Sequence, residues 1–291
     1  MSQTPSQAAR RAGNTGPAPE SASITDIIKD RLLNAGQSDQ FGFDRELNDR
    51  VFMAVLRPLA EVWFRTQVRG IENIPNQGAS LIAGNHSGAI ALDALMTQLA
   101  IFDTHPFKRH IHMLAADLVF EVPIVKDIAR AAGHTNASRD EALRLLGSGK
   151  LVGVWPEGFS GVGKTWTRRY ELQQFGKGGF VSTAIEANVP LIPLAIVGAE
   201  EAYPMVANIE PLARLLKLPY FPVTPTFPLL GPLGAVPLPS KWIIQFGKPI
   251  APNELPSPYD EQAVLDFAHH FRGLVQNMVD ELIVERGNPW V

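Results

Sequence analysis

The chain has 291 residues, of which 45% are hydrophobic and 19% charged, with a formal net charge of −3. That balance fits a globular protein of one large or two small domains, argues against a disordered chain, and supplies no basic field for nucleic acid. Cysteine is absent, which removes disulfides, thiol catalysis and thiolate metal sites together.

The amino terminus, MSQTPSQAARRAGNTGPAPES, lacks the apolar core of a signal peptide, so residues 1–22 read as a disordered tail with a cytosolic start. Ile24, Ile27, Ile28 and Leu32 follow Ser23 at helical spacing and predict a short amphipathic helix. A stronger helix is expected over about 44–64, with Leu47, Val51, Val55, Leu59 and Val62 near one stripe and Pro58 as a kink. Arg57, Trp63, Phe64 and Arg65 give its end the aromatic and basic mix of a membrane interface, docking on the core being the alternative. Residues 23–65 thus form amphipathic helices ahead of a domain spanning 66–291.

Within that domain, apolar runs at 80–84, 111–115, 151–155, 191–197 and 242–246 read as buried strands. Helical stretches lie near 93–101, 117–131, 139–147 and 178–187; Ser138 and Glu141 make a capping box for the third, and Gly147 its stop. A last helix, about 261–285, carries Val264, Phe267, Phe271, Leu274, Met278 and Leu282 on one face. The expected fold is therefore α/β, a single domain with a largely parallel central sheet covered by helices. The stretch 215–242 is nearly devoid of charge and rich in proline, which forbids a continuous helix. It reads either as an irregular wrap buried on the core or as an apolar surface that touches lipid or an acyl chain.

Residues 158–165, GFSGVGKT, match the phosphate-cradling pattern G-x-x-x-x-G-K-T. The strand before them is present, but WTRRYELQQFGKGG after Thr165 makes no core-facing helix, and no later strand ends in a magnesium-binding Asp. A nucleotide loop is set aside. His86 is more informative, because it ends the first buried strand, where open α/β sheets place their ligands. The other histidines, His105, His110, His112, His269 and His270, read as structural or surface groups, and His134 as a possible pocket residue.

Four ordered blocks, NHSGAIALD at 85–93, AGHTNASRDEALRLL at 132–146, VWPEGFSG at 154–161 and VPLIPLAIVGAEE at 189–201, make the chain resemble the lysophospholipid and glycerol-phosphate acyltransferase superfamily over about 66–250. FGKGGFVSTAIEA at 175–187 is most similar to bacterial members and to the branch near diacylglycerol acyltransferases. The resemblance implies a glycerol-phosphate acyltransferase-like fold and acyl transfer from acyl-CoA or acyl-carrier protein, the co-substrate, to a glycerolipid hydroxyl, with no other cofactor and no metal. It implies a general base at His86, an orienting carboxylate at Asp93, Glu157 either accepting hydrogen bonds from acceptor hydroxyls or holding the acceptor loop in place, and substrate contacts from Gly158 and Arg139. Two departures stand out. Asp93 follows His86 by seven positions rather than five, and Phe159-Ser160 replace the family's Thr-Arg. An acceptor phosphate would then have to meet Lys164, Arg168, Arg169 or Arg139, or the acceptor carries none.

A neutral imidazole suits proton removal from an alcohol, and a carboxylate on its other nitrogen fixes the tautomer. Backbone amides near Gly88 or the Pro156-Glu157-Gly158 turn are expected oxyanion donors, and those of Gly176, Gly178 and Gly179 either meet a coenzyme A phosphate or simply permit the loop. A thioesterase or lipid hydrolase using the same base, and a non-catalytic lipid-binding protein, remain alternatives. The implied location is cytoplasmic, peripheral at the inner face of the cell membrane, in phospholipid biosynthesis.

Overall fold

The computed structural model describes residues 38–121 and 125–290, so the helix expected over 24–32 lies outside the described residues. The sheet has the order β1-β9-β6-β2-β5-β3-β4, with β1 at Gln67–Arg69, β2 at Ser80–Gly84, β3 at Ile111–Ala115, β4 at His134–Asn136, β5 at Leu151–Val154, β6 at Leu191–Val197 and β9 at Ile243–Phe246. Every neighbour pair is parallel except β6 with β9. Two short strands, β7 at Ala207–Asn208 and β8 at Pro222–Val223, form a separate antiparallel ladder.

The central strands are apolar on both faces because both are covered. Leu81 and Ala83 of β2 join one core, with Leu191, Ala195 and Val197 of β6; Ile82 joins the other, with Ile192, Leu194 and Ile196. This period of two sorts each strand between two layers of helices. In chain order the helices are α1 at 45–63, α2 at Leu92–Thr104, α3 at Asp117–Glu121, α4 at Val125–Ala131, α5 at Arg139–Gly147, α6 at Phe159–Val162, α7 at Gly179–Ala187, α8 at Ala199–Ala202, α9 at Glu210–Leu215 and α10 at Glu261–Arg286. Met53 and Phe64 flank α1's contribution to the first core, beside Met96 and Leu99 of α2. Leu145 of α5, Val181 of α7 and Phe271, Val275 and Val279 of α10 build the second.

The stripe expected on α1 is displaced. Met53 and Ala60 are buried, whereas Val55 and Val62 are exposed. The reason is that Asn48–Phe52 and Leu59–Trp63 are π-helical, with a wider turn, so a 3.6-residue period drifts off the core-facing side. Pro58 sits inside the helix immediately before the second wide turn. Ser138 caps α5 by accepting from the Glu141 amide at 3.2 Å, as its sequence predicts. The stretch after α8 resolves the choice left open for 215–242. Leu215, Leu229 and Leu233 are 77%, 84% and 70% exposed, so the segment is an apolar surface rather than a buried wrap.

Candidate active site

Strand order brings the sequence blocks together. β2 lies between β5 and β6, with Ala83 opposite Val154 on one side and Pro193 on the other. The turns after β2 and β5 therefore leave the same carboxyl edge as neighbours. Asn85 ties the third strand in: its Nδ2 donates to the Ile196 carbonyl at 2.9 Å, and its Oδ1 accepts from the Ile196 amide at 2.8 Å. A side-chain amide thus takes the place of a backbone pair just where β2 ends, freeing the next residues to turn away.

His86 and Asp93 meet despite the long spacing. His86 Nδ1 lies 2.7 Å from Asp93 Oδ2, with the imidazole 15% exposed and the carboxylate fully buried. The wide loop closes through Gly88, at φ +83°, where an added Cβ would stand 2.8 Å from the Ala199 carbonyl. Only glycine meets both demands there. Asp93 sits in the first turn of α2, and its Oδ2 also accepts from the Ser87 amide at 2.9 Å while Oδ1 accepts from Ala94 at 2.9 Å. An acceptor-only carboxylate at Nδ1 places the proton on that nitrogen and leaves Nε2 with its lone pair free. The ring of Trp155 lies beside the imidazole, with centroids 5.8 Å apart.

Glu157 is a strap rather than an exposed acid. Its Oε1 accepts from the His86 amide at 2.8 Å and its Oε2 from the Gln173 amide at 2.6 Å. Burial pushes the carboxyl up from its ordinary value, opposed by Lys164 and by those two amides. Lys164 lies beneath it, with its side chain 2% exposed, 3.6 Å from Glu157 Oε2 and 3.1 Å from Glu200 Oε1. Burial raises the Glu200 carboxyl as well, with Lys164 as the principal opposing influence. The charged residues singled out for substrate contact each have a protein partner: Glu157 and Lys164 one another in the buried layer, and Arg168 with Glu171 at 3.0 Å and Arg139 with Glu186 in exposed pairs. Arg139 lines a cavity of about 230 Å³ with Val154, Gly179 and Phe180. Arg169 stacks on Trp166, 4.3 Å from its ring centroid. Lys164 enters no phosphate nest, since a four-residue helix and a short 3-10 turn follow β5 where a nucleotide loop needs a long helix.

The Gly158 amide donates to the Trp155 carbonyl at 3.0 Å, and the His86 and Ser87 amides are taken by carboxylates. Among the described residues the Gly88 amide is an unspent donor beside this loop, whereas the Ser87 hydroxyl and the Trp155 indole N–H are unpartnered but buried. Gly178, at φ +80°, opens α7, and an added Cβ there would stand 3.0 Å from Val264, so the left-handed turn and the packing of α10 both require it. His112 is buried and burial pushes it down to about 4; His134 in β4 is shifted down to about 4 for the same reason.

Gly161 was invisible as a site residue in the sequence. A Cβ on it would come within 2.7 Å of the His86 carbonyl and 2.9 Å of the His86 Cβ. Gly161→Ala is expected to lower turnover by roughly 10²-fold through displacement of the base, since a 1 Å error in position costs about that much. Steady-state kinetics beside a thermal melt checks this: a large kcat loss with a small change in Tm is the expected pattern.

A family model described as Acyltransferase matches residues 65–197. The chain is 44% identical over 269 residues to the uncharacterized protein Rv0502 of Mycobacterium tuberculosis, covering 92% of this chain and 75% of that one. It is 26% identical over 223 residues to the human DGAT1/2-independent enzyme synthesizing storage lipids, covering 76% of this chain and 63% of the human protein. Among solved structures it resembles the 1-acyl-sn-glycerophosphate (LPA) acyltransferase PlsC of Thermotoga maritima, with a TM-score of 0.55 at 19% identity over 89% of this chain and 92% of that one. At that identity the likeness speaks for the fold alone.

Proposed function

The chain belongs to the glycerolipid acyltransferase superfamily, and from that premise we propose that it moves a fatty acyl group from a thioester, acyl-CoA or acyl-carrier protein, to a glycerolipid hydroxyl, with His86 as general base. The observation that carries the reading is the 2.7 Å pair between His86 Nδ1 and the buried Asp93 carboxylate at the carboxyl edge of the sheet. It leaves Nε2 as the proton acceptor. As the alcohol oxygen attacks the thioester carbonyl, its proton passes to Nε2 and the imidazolium is stabilised by Asp93. The carbonyl oxygen becomes an oxyanion, for which the Gly88 amide is the unspent donor. Collapse breaks the carbon–sulfur bond, and the departing thiolate recovers the proton from His86. The products are an ester and a free thiol, with no covalent enzyme intermediate.

The acceptor we favour is neutral. Lys164 is buried between two carboxylates, while Arg139, Arg168 and Arg169 lie at the exposed surface, the first two paired with Glu186 and Glu171 and the third stacked on Trp166, so none of the four is a buried, unpaired cation built to hold a phosphate. The test is thiol release from acyl-CoA with lysophosphatidic acid, monoacylglycerol, diacylglycerol or no acceptor. Release that depends on an acceptor and is faster with the neutral glycerides is the expected result. Equal release without any acceptor would show hydrolysis and overturn the transfer reading; preference for lysophosphatidic acid would overturn the neutral acceptor while keeping acyl transfer. No helix among the described residues is long and apolar enough to cross a membrane, so contact with lipid is proposed to be peripheral.

A further inference from the structure

The excursion between α8 and β9 exposes an unusual amount of apolar side chain. Leu215, Leu216, Leu229, Leu230, Leu233 and Val236 are each at least half solvent-accessible, on a chain otherwise able to bury its leucines in two cores. Single exposed apolar residues need no explanation, but a run of them on one connected segment marks a contact surface. The segment is not floppy in its attachments. The β7–β8 ladder closes its first half, with Val206 N donating to Val223 O at 2.8 Å and Ile209 N to Phe221 O at 3.0 Å. Tyr203 Oη donates to the Ala235 carbonyl at 2.8 Å, and Trp63 Nε1 at the end of α1 donates to the Pro237 carbonyl at 2.9 Å, which brings the exposed Val62 and Trp63 to the same surface.

Two further facts choose the partner. Within the excursion 206–238 the sequence has one acid, Glu210, held by Arg214 at 2.9 Å, while Lys217 stands among the exposed leucines. That acid is neutralised by its own pair, so Lys217 leaves the excursion with a net positive charge, which favours an anionic surface. The excursion also adjoins the catalytic mouth: Tyr220 Oη donates to the Ala89 carbonyl at 2.7 Å, on the loop that carries His86, and the Trp166 amide donates to the Met205 carbonyl at 2.6 Å. Ile90 and Phe159, on the turns after β2 and β5, are themselves exposed.

We infer that the Pro-rich excursion 206–238, with the end of α1, is the surface by which this protein sits on an anionic lipid bilayer, holding the His86 mouth at the headgroup level where a glycerolipid hydroxyl lies. The inference rests on the acyl-transfer reading for its choice of a lipid partner. An amphipathic helix is the usual interfacial anchor; here prolines limit the helical pieces and the leucines protrude from the end of the short α9 and from the turns after it, with the backbone satisfied by the ladder and by its ties to α1 and α8.

The experiment is co-sedimentation of the full chain with phosphatidylcholine vesicles, with and without phosphatidylglycerol, for wild type, Leu215→Gln/Leu229→Gln/Leu233→Gln and His86→Ala. Wild type is expected to pellet with vesicles, more strongly with the anionic lipid and less at high salt, and the triple variant to lose at least about tenfold in partitioning. The triple variant keeps its turnover on a water-soluble short-chain acceptor, which excludes misfolding as the cause. His86→Ala pellets like wild type, so vesicle binding is scored even for a protein that transfers no acyl group. Wild-type-like partitioning of the triple variant overturns the proposal, as does absence of binding to either vesicle. A wild-type dimer that the triple variant turns into a monomer, without vesicle binding, overturns it in favour of an interface between copies.

Discussion

His86→Ala is expected to lower acceptor-dependent thiol release by roughly 10²- to 10⁴-fold, the usual worth of a positioned general base. The fold should survive, because the imidazole is partly exposed and contributes no apolar mass to either core. Asp93 keeps two backbone donors when the ring is gone, Ser87 and Ala94, so the buried carboxylate is not stranded. Asp93→Asn tests the same pair from the other side. In the wild type both the His86 Nδ1–H and the Ser87 N–H point at Oδ2, and the Ala94 N–H points at Oδ1. An amide can present its oxygen to only one of these positions, so its NH₂ faces a donor at the other, and no orientation stabilises an imidazolium. A loss of turnover of at least about 10²-fold, with the circular dichroism spectrum unchanged, is the expected outcome. Turnover within twofold of wild type in His86→Ala would remove the base from the mechanism altogether.

The elements that the sequence announces are those whose chemistry is local. β2, β3 and β6 are predominantly apolar runs of the length a covered strand needs, and α5 carries both its cap and its stop, so their limits coincide with those expected from the residues. The acyltransferase blocks likewise mark the right turns, since a histidine after one parallel strand and an acid after its neighbour arrive at one edge whatever the loops do. β1 and β4 were illegible because QVR and HTN are three-residue edge strands with no apolar run to mark them. The buried face of α1 departs from the expected stripe because its π-helical turns break the 3.6-residue period.

Long-range polar partnerships were the other hidden layer. The role of Glu157 follows from its block, but its partners do not, because its strap to His86 crosses 71 positions. Glu200 and Glu201 look like a solvated pair, yet both are buried: Glu200 on Lys164, and Glu201 on Arg286 at 2.8 Å and on the Tyr170 hydroxyl. Arg286 Nη1 adds a bond to Tyr170 Oη at 2.9 Å, which ties the end of α10 to the loop that also carries Gln173. Buried Tyr170, facing two glutamates, has its hydroxyl pushed well above its ordinary value by burial and by Glu201, so it stays a neutral donor. These acids are buried only because each has a cation, a condition that no local pattern in the sequence expresses.

The same dependence makes Lys164 the position where one substitution should cost most in stability. Lys164→Met is expected to destabilise the protein by about 3–5 kcal/mol at neutral pH, because it leaves Glu157 and Glu200 buried without their cation. The pH dependence has a definite sign. Both carboxyls are already raised by burial in the folded state, so the fold binds their protons more readily than the unfolded chain does. Stability from these groups is therefore full below the ordinary glutamate value of 4.5 and falls as pH rises through the raised folded values. Removing Lys164 takes away the largest influence holding them down, so the variant's deficit against wild type should widen as pH rises from the acidic side and shrink again on acidification. Urea unfolding of both proteins at several pH values measures this directly. Lys164→Met/Glu200→Gln should recover part of the loss at neutral pH, as it removes one of the two stranded charges. Glu157 in that double variant still holds the His86 and Gln173 amides, so recovery of turnover with recovery of stability would identify Lys164 as the support beneath the catalytic loop rather than a contact to substrate. A deficit independent of pH, with no rescue by Glu200→Gln, would show that the ion pairs contribute little and that packing alone accounts for the cost.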